Sequence, residues 1–187
     1  MTKTNLRKIW WTITIFYIAF TYATLGVMPA IWEKLNSFLG GKGVIAQYII
    51  YSIVWILVFI YILFIKKEKL LMRYLLFFLF IGVFFIMIKF EKNPGEKIHM
   101  AQYGLLGVLL YNALKIDFDR FGKKFYLCGS LICLIVGAID EIIQWILPNR
   151  YFTWHDVFIN GLSGIIVFLV IRFNILEKEK ISQRYIP

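Results

Sequence analysis

Residues 125–147 read FYLCGSLICLIVGAIDEIIQWIL, an apolar run of helix length with two adjacent carboxylates, Asp140 and Glu141, set into it. A helix needs about 20 apolar residues to cross the hydrocarbon core of a bilayer, and this run meets that length. At the α-helical period, Ser130, Cys133, Gly137, Asp140, Glu141 and Gln144 fall within roughly 100° of arc, and Leu, Ile, Val and Trp take the remainder. An uncompensated charge deep in lipid costs about 2.5–3.5 kcal/mol on insertion scales, so both carboxylates are expected to face other helices, to be protonated or to be paired. Cys128 and Cys133 lie five residues apart on one helix and point in different directions, which makes them small apolar fillers rather than a disulfide.

Outward from this run, five further stretches have spanning length: residues 9–30, 44–65, 70–88, 98–115 and 156–173, giving six in all with 125–147. None shows the two-residue alternation of an outer-membrane barrel, so the expected fold is an all-α polytopic transmembrane bundle. The composition agrees: 60% of the 187 residues are hydrophobic and 19% aromatic, more than a soluble domain of this size can cover with polar surface. Lys3, Arg7 and Lys8 precede the first apolar run in the manner of a signal peptide. That run continues to about Trp32, however, and no small-residue cleavage site follows, so it reads as a retained span. Arg73, near the start of the third span, is placed to snorkel to the interface.

The net charge of +10 resides in the connecting loops, which argues for topology and anionic-lipid contact and against nucleic acid. Fifteen of the 21 Lys and Arg fall on one side of the six-span arrangement and six on the other. The basic side is expected in the cytoplasm, with both termini inside. Trp10 and Trp11 then mark the inner interface, and Trp32, Trp145 and Trp154 the outer one. Residues 1–95 form three largely apolar spans whose scattered Thr and Tyr call for no functional account; residues 96–187 form three spans with a polar cluster and a short charged tail.

The polar residues of that second half gather at one depth. His99, Gln102, Tyr103 and Gly107 share a face of the fourth span near its outer end. Asp140, Glu141 and Gln144 approach the outer end of the fifth, and Asp156, Asn160, Ser163 and Gly164 share a face at the start of the sixth. Gly161 and Gly164 permit close approach of a neighbouring helix. His99 can act as acid or base near neutral pH, or be an interfacial histidine bonded to a loop. Glu141 and Asp140 can be working carboxylates or a structural pair with Arg150 or Lys97. Arg150 has the planar fork that clamps phosphate or carboxylate, and can equally serve a neighbouring acid. Asp156 can orient His99 or cap the sixth helix, and Asn160 can bind substrate or join helices. A metal site built from His99, Glu141, His155 and Asp156 is chemically conceivable, but no spacing is diagnostic, and no metal or cofactor is assigned.

The ordered set Lys97-x-His99 with Tyr103, Asp140-Glu141-x-x-Gln144, Pro148-x-Arg150 and Asp156-x-x-x-Asn160-Gly161 with Gly164 resembles the VanZ-like family over about residues 96–171. Glu96 and Lys97 stand one residue closer to His99 than the family pattern has them. The resemblance implies a multi-pass protein of the bacterial plasma membrane, linked to resistance to teicoplanin-type glycopeptides or to cell-envelope modification. Three activities are compatible with the polar cluster. The first is an outer-leaflet enzyme, a hydrolase or transferase acting on a lipid or lipid-linked envelope precursor, with His99, Glu141 and Asp156 as catalytic groups and Tyr103, Asp140, Gln144, Arg150 and Asn160 holding substrate. The second is a non-catalytic protein that binds a lipoglycopeptide or an envelope precursor. The third, a transporter, is disfavoured because the cluster lies near one surface. Membrane lipids are the expected partners.

Overall fold

A computed structural model describes residues 2–91, 96–118, 123–148, 150–171 and 173, all helices and short connections. The elements are α1 (Lys3–Thr24), α2 (Met28–Phe38), α3 (Gly43–Ile60, running on through a π-helical turn at Tyr61–Ile65), α4 (Leu71–Phe90), α5 (Glu96–Asp117), α6 (Lys123–Ile146) and α7 (Trp154–Val170). Asn149 and the basic residues Lys92, Arg120 and Arg172 lie outside the described residues, as does the charged tail after Phe173 with Lys178, Lys180 and Arg184.

Three helical segments are long and apolar enough to cross a membrane: Gly43–Ile65, Leu71–Phe90 and Lys124–Ile146. α7 is apolar but shorter. The first expected span, 9–30 and on to Trp32, is not one straight helix: α1 and α2 meet at 77° and make a fourth crossing only if taken together. The sequence explains the break. Pro29 has no N–H to give to the carbonyl four residues back, and its ring would collide there, so a helix through it is kinked or broken. In the first turn of a new helix neither problem arises, and that is where Pro29 sits in α2. α7 also begins earlier than expected, because Thr153 is its N-cap and accepts from the Asp156 amide at 3.1 Å. Asp156 therefore lies in the first turn, where the helix dipole favours an acid.

Contacts between helix ends define one common end of the molecule. His99 at the start of α5 meets Asp140 near the end of α6, and His155 at the start of α7 meets Glu91 at the end of α4. Tyr51 of α3 donates to the Lys97 carbonyl at 2.8 Å. At the opposite end, Asp117 of α5 takes Trp11 Nε1 at 2.8 Å and Arg7 Nε at 2.5 Å, so α1 and α5 run antiparallel.

Two apolar clusters hold the helices. One joins α3, α4 and α7 around Phe77, Phe84, Ile88 and Ile166, with Met100 of α5. The other joins α5, α6 and α7 around Tyr103, Leu110, Phe125, Cys133 and Phe168, with Trp11, Tyr17 and Tyr22 of α1 packed on it. Small residues let α5, α6 and α7 touch at backbone level, as membrane-type packing requires. A Cβ on Gly107 would lie 2.7 Å from the Gly164 carbonyl, and one on Gly161 would collide with the Leu134 side chain. Cys133 is buried against Gly164, and both cysteines are free.

Candidate functional site

The polar faces of α5, α6 and α7 turn inward at the common end. Asp140 and Glu141 are fully buried, and His99, Tyr103, Gln144 and Asn160 are no more than 4% exposed. The apolar remainder of α6, including Leu127, Ile135, Ile142 and Trp145, points outward. This division follows from the cost of charge in lipid, which a helix avoids by rotating its carboxylates toward protein.

The two carboxylates have separate partners. Asp140 Oδ2 lies 3.3 Å from His99 Nδ1 and accepts from the Tyr103 hydroxyl at 3.0 Å. Tyr103 also reaches the Val136 carbonyl at 3.3 Å, and Tyr22 of α1 donates to the same carbonyl at 2.8 Å. Glu141 Oε1 accepts from Gln144 Nε2 at 3.1 Å, and its Oε2 accepts from the Thr153 amide at 3.2 Å. Glu141 thus ties the end of α6 to the cap of α7. Arg150 donates to Gln144 Oε1 through Nε at 2.9 Å and also through Nη2.

His99, Gln102 and Arg150 open onto a cavity of about 110 Å³, closed on the other side by Met28, Pro29 and Trp32 of α2 together with Ile98. The buried Asp140 carboxylate 3.3 Å from Nδ1 orients the His99 ring and can face a proton held there. The Arg150 guanidinium, whose Nε and Nη2 are engaged by Gln144, brings positive charge to the same cavity and so favours an anion there. The arrangement can therefore move a proton at His99 while holding a negatively charged group at Arg150.

One expectation needs correction. The carboxylate set against His99 is Asp140, not Asp156. Asp156 stands one residue from His155, and its Oδ1 lies 3.1 Å from His155 Nδ1. The conceived metal set of His99, Glu141, His155 and Asp156 is likewise divided, since His155 faces Glu91 and Asp156 while His99 faces Asp140. Asn160 is buried between helices, its Cβ close to the position a Cβ on Gly137 would take, and its Nδ2 has no hydrogen-bond partner among the described residues.

Sequence reasoning missed Tyr22, Trp32 and Glu91. Tyr22 carried no signal beyond being a tyrosine in an apolar run. Trp32 was readable in principle, because Pro29 marks the break that folds α2 over the start of α5. Glu91 sits at the C-cap of α4, far in sequence from its partner, and no spacing connects it to His155.

A second, wholly apolar cavity of about 380 Å³ lies between α3, α4, α5 and α7, among Trp55, Phe84, Met100, Gly104, Val108 and Val167. Comparison with known families finds the VanZ/LLP1 model matching residues 2–176, so the match takes in α1 to α4 as well as the polar cluster. No curated protein and no solved structure matches the chain.

Proposed function

The chain belongs to the VanZ/LLP1 family, and from that premise we propose that it is a plasma-membrane enzyme acting at the outer leaflet on an anionic lipid or lipid-linked envelope precursor. The observation that carries this reading is the cavity shared by His99 and Arg150, with Asp140 and Tyr103 behind the imidazole. His99 Nδ1 is turned to Asp140, so Nε2 is the proton-transferring atom. It takes the proton from an attacking water or hydroxyl and returns it to the leaving oxygen, while Arg150 holds the anionic group. Asp140 orients His99. Glu141 and Gln144 position Arg150 and Thr153, and Asp156 serves the start of α7. In this reading α1, α3, α4, α5, α6 and α7 make six crossings with both termini inside, and α2 lies at the outer surface. The fifteen-to-six division of basic residues supports that orientation.

His99→Ala and Arg150→Ala, each made at full membrane abundance, are expected to abolish teicoplanin-type resistance and the accompanying change in lipid profile. An unchanged phenotype in both rejects the enzyme.

The apolar cavity favours a second reading, a non-catalytic protein that binds the acyl tail of a lipoglycopeptide or a precursor. Under it, Gly104→Phe, which fills that cavity, weakens resistance while His99→Ala does not, and the labelled lipopeptide binds without turnover.

A further inference from the structure

Away from the His99 cavity, three donors from two distant parts of the chain converge. Glu91 closes α4, and His155 and Asp156 open α7. His155 Nδ1 lies 3.1 Å from Asp156 Oδ1 and 3.7 Å from Glu91 Oε2, and one donor atom from each of the three residues lies within 4.8 Å of the other two. We propose that Glu91, His155 and Asp156 form a site for a divalent transition metal of the zinc class.

The spacing fits the ion. Metal–ligand bonds of about 2.0–2.1 Å at tetrahedral angles separate neighbouring ligand atoms by about 3.3–3.4 Å, between the two separations observed. The chemistry fits as well. An imidazole with two carboxylates suits zinc and its neighbours, whereas magnesium and calcium favour oxygen donors alone. The three groups sum to a charge of −2 with His155 neutral, the form in which an imidazole ligates, and a divalent ion cancels it. Glu91 is 6% exposed and Asp156 is partly buried, while His155 stands at the surface and gives an entry path. Three protein ligands leave a coordination position for water.

Occupancy would pin the end of α4 to the start of α7. The adjoining residue Thr153 caps α7 and donates its amide to Glu141, so the metal would steady the loop on which the buried carboxylate depends.

The test is zinc titration of the full chain, tag-free and metal-stripped, in detergent micelles, followed by calorimetry and thermal unfolding. One saturable Zn²⁺ site per chain is expected, with a raised unfolding midpoint. Glu91→Gln and His155→Ala should each weaken binding at least about tenfold, and His99→Ala should leave it unchanged. No zinc binding below millimolar concentration overturns the proposal, as does undiminished binding in both ligand variants or loss of binding in His99→Ala. Co²⁺ added to the unaltered chain provides a readout independent of variant folding. Visible ligand-field absorption displaced by Zn²⁺ supports the site, and its absence refutes it.

Discussion

At the residue scale the instructive pair is Asp140 and Glu141. On a helical wheel they stand about 100° apart, at opposite edges of one polar face, and sequence alone ranks Glu141 as the stronger candidate. Side-chain length and the return of the chain at Thr153 separate them: the shorter carboxylate meets His99 and Tyr103, and the longer reaches the α7 cap. The two should therefore fail differently. Asp140→Asn replaces the charged carboxylate beside His99 with a neutral amide that can turn a donor toward the ring, and activity is expected to fall by about 10²–10⁴-fold with the thermal midpoint little changed. Glu141→Gln exchanges a charged acceptor of a buried amide for a neutral one, and is expected to cost roughly 1–3 kcal/mol in unfolding measured in micelles. If Glu141→Gln abolishes turnover at unchanged stability while Asp140→Asn is active, the roles are reversed. That both carboxylates turn inward was legible, because lipid leaves no other place for them. Which one faces the histidine was not, because it depends on a loop whose path no local pattern encodes.

At the element scale, the helices and their inward faces could be read from hydropathy and the 3.6-residue period, and the Gly161 and Gly164 contacts followed from residue size. The bend between α1 and α2 was concealed by apolar residues on both sides of Pro29, since hydropathy averages across a turn where stereochemistry kinks or breaks a helix. Packing at glycine gives the sharpest prediction here. A methyl on Gly107 meets a backbone carbonyl that no rotamer change can move, so Gly107→Ala is expected to destabilise the α5–α7 contact by roughly 1–3 kcal/mol. The turn before α4 offers a pH-dependent counterpart. Burial raises the Glu68 pKa, but the Leu70 and Lys69 amides and the Arg73 guanidinium outweigh that effect and hold the carboxyl below its usual value of 4.5. Arg73, expected to snorkel to the interface, pairs with Glu68 at this turn. Since the folded state favours the ionised form, this contribution is complete above pH 4.5 and disappears as pH falls through the lower, folded value. Glu68→Gln should thus be less stable than the parent at neutral pH, by at most about 1 kcal/mol because the pair lies in a solvent-screened turn, with the difference closing on acidification. A difference that grows at low pH contradicts the assignment.

At the scale of the whole molecule, everything proposed for His99 depends on which side of the bilayer the common end occupies. That end collects the starts of α5 and α7, the end of α6 and the fold of α2, so one determination of sidedness places them all. Electrostatics favours the exterior, because the opposite loops carry the larger share of Lys and Arg and short basic loops are retained in the cytoplasm. Two exposed positions report on the two ends: Ser37 on α2 and Lys69 in the turn before α4. After replacement of Cys128 and Cys133, single cysteines at these positions can be treated with a membrane-impermeant maleimide on intact cells. Ser37→Cys is expected to label at once, and Lys69→Cys only after the membrane is opened. The reverse pattern would put the His99 cavity in the cytoplasm, where an outer-leaflet lipid or an extracellular glycopeptide cannot reach it. Labelling of both positions on intact cells would break the antiparallel crossing of α3 on which the common end rests. Only the expected pattern puts the cavity lined by His99 and Arg150 on the side of the leaflet from which the proposed substrate must come.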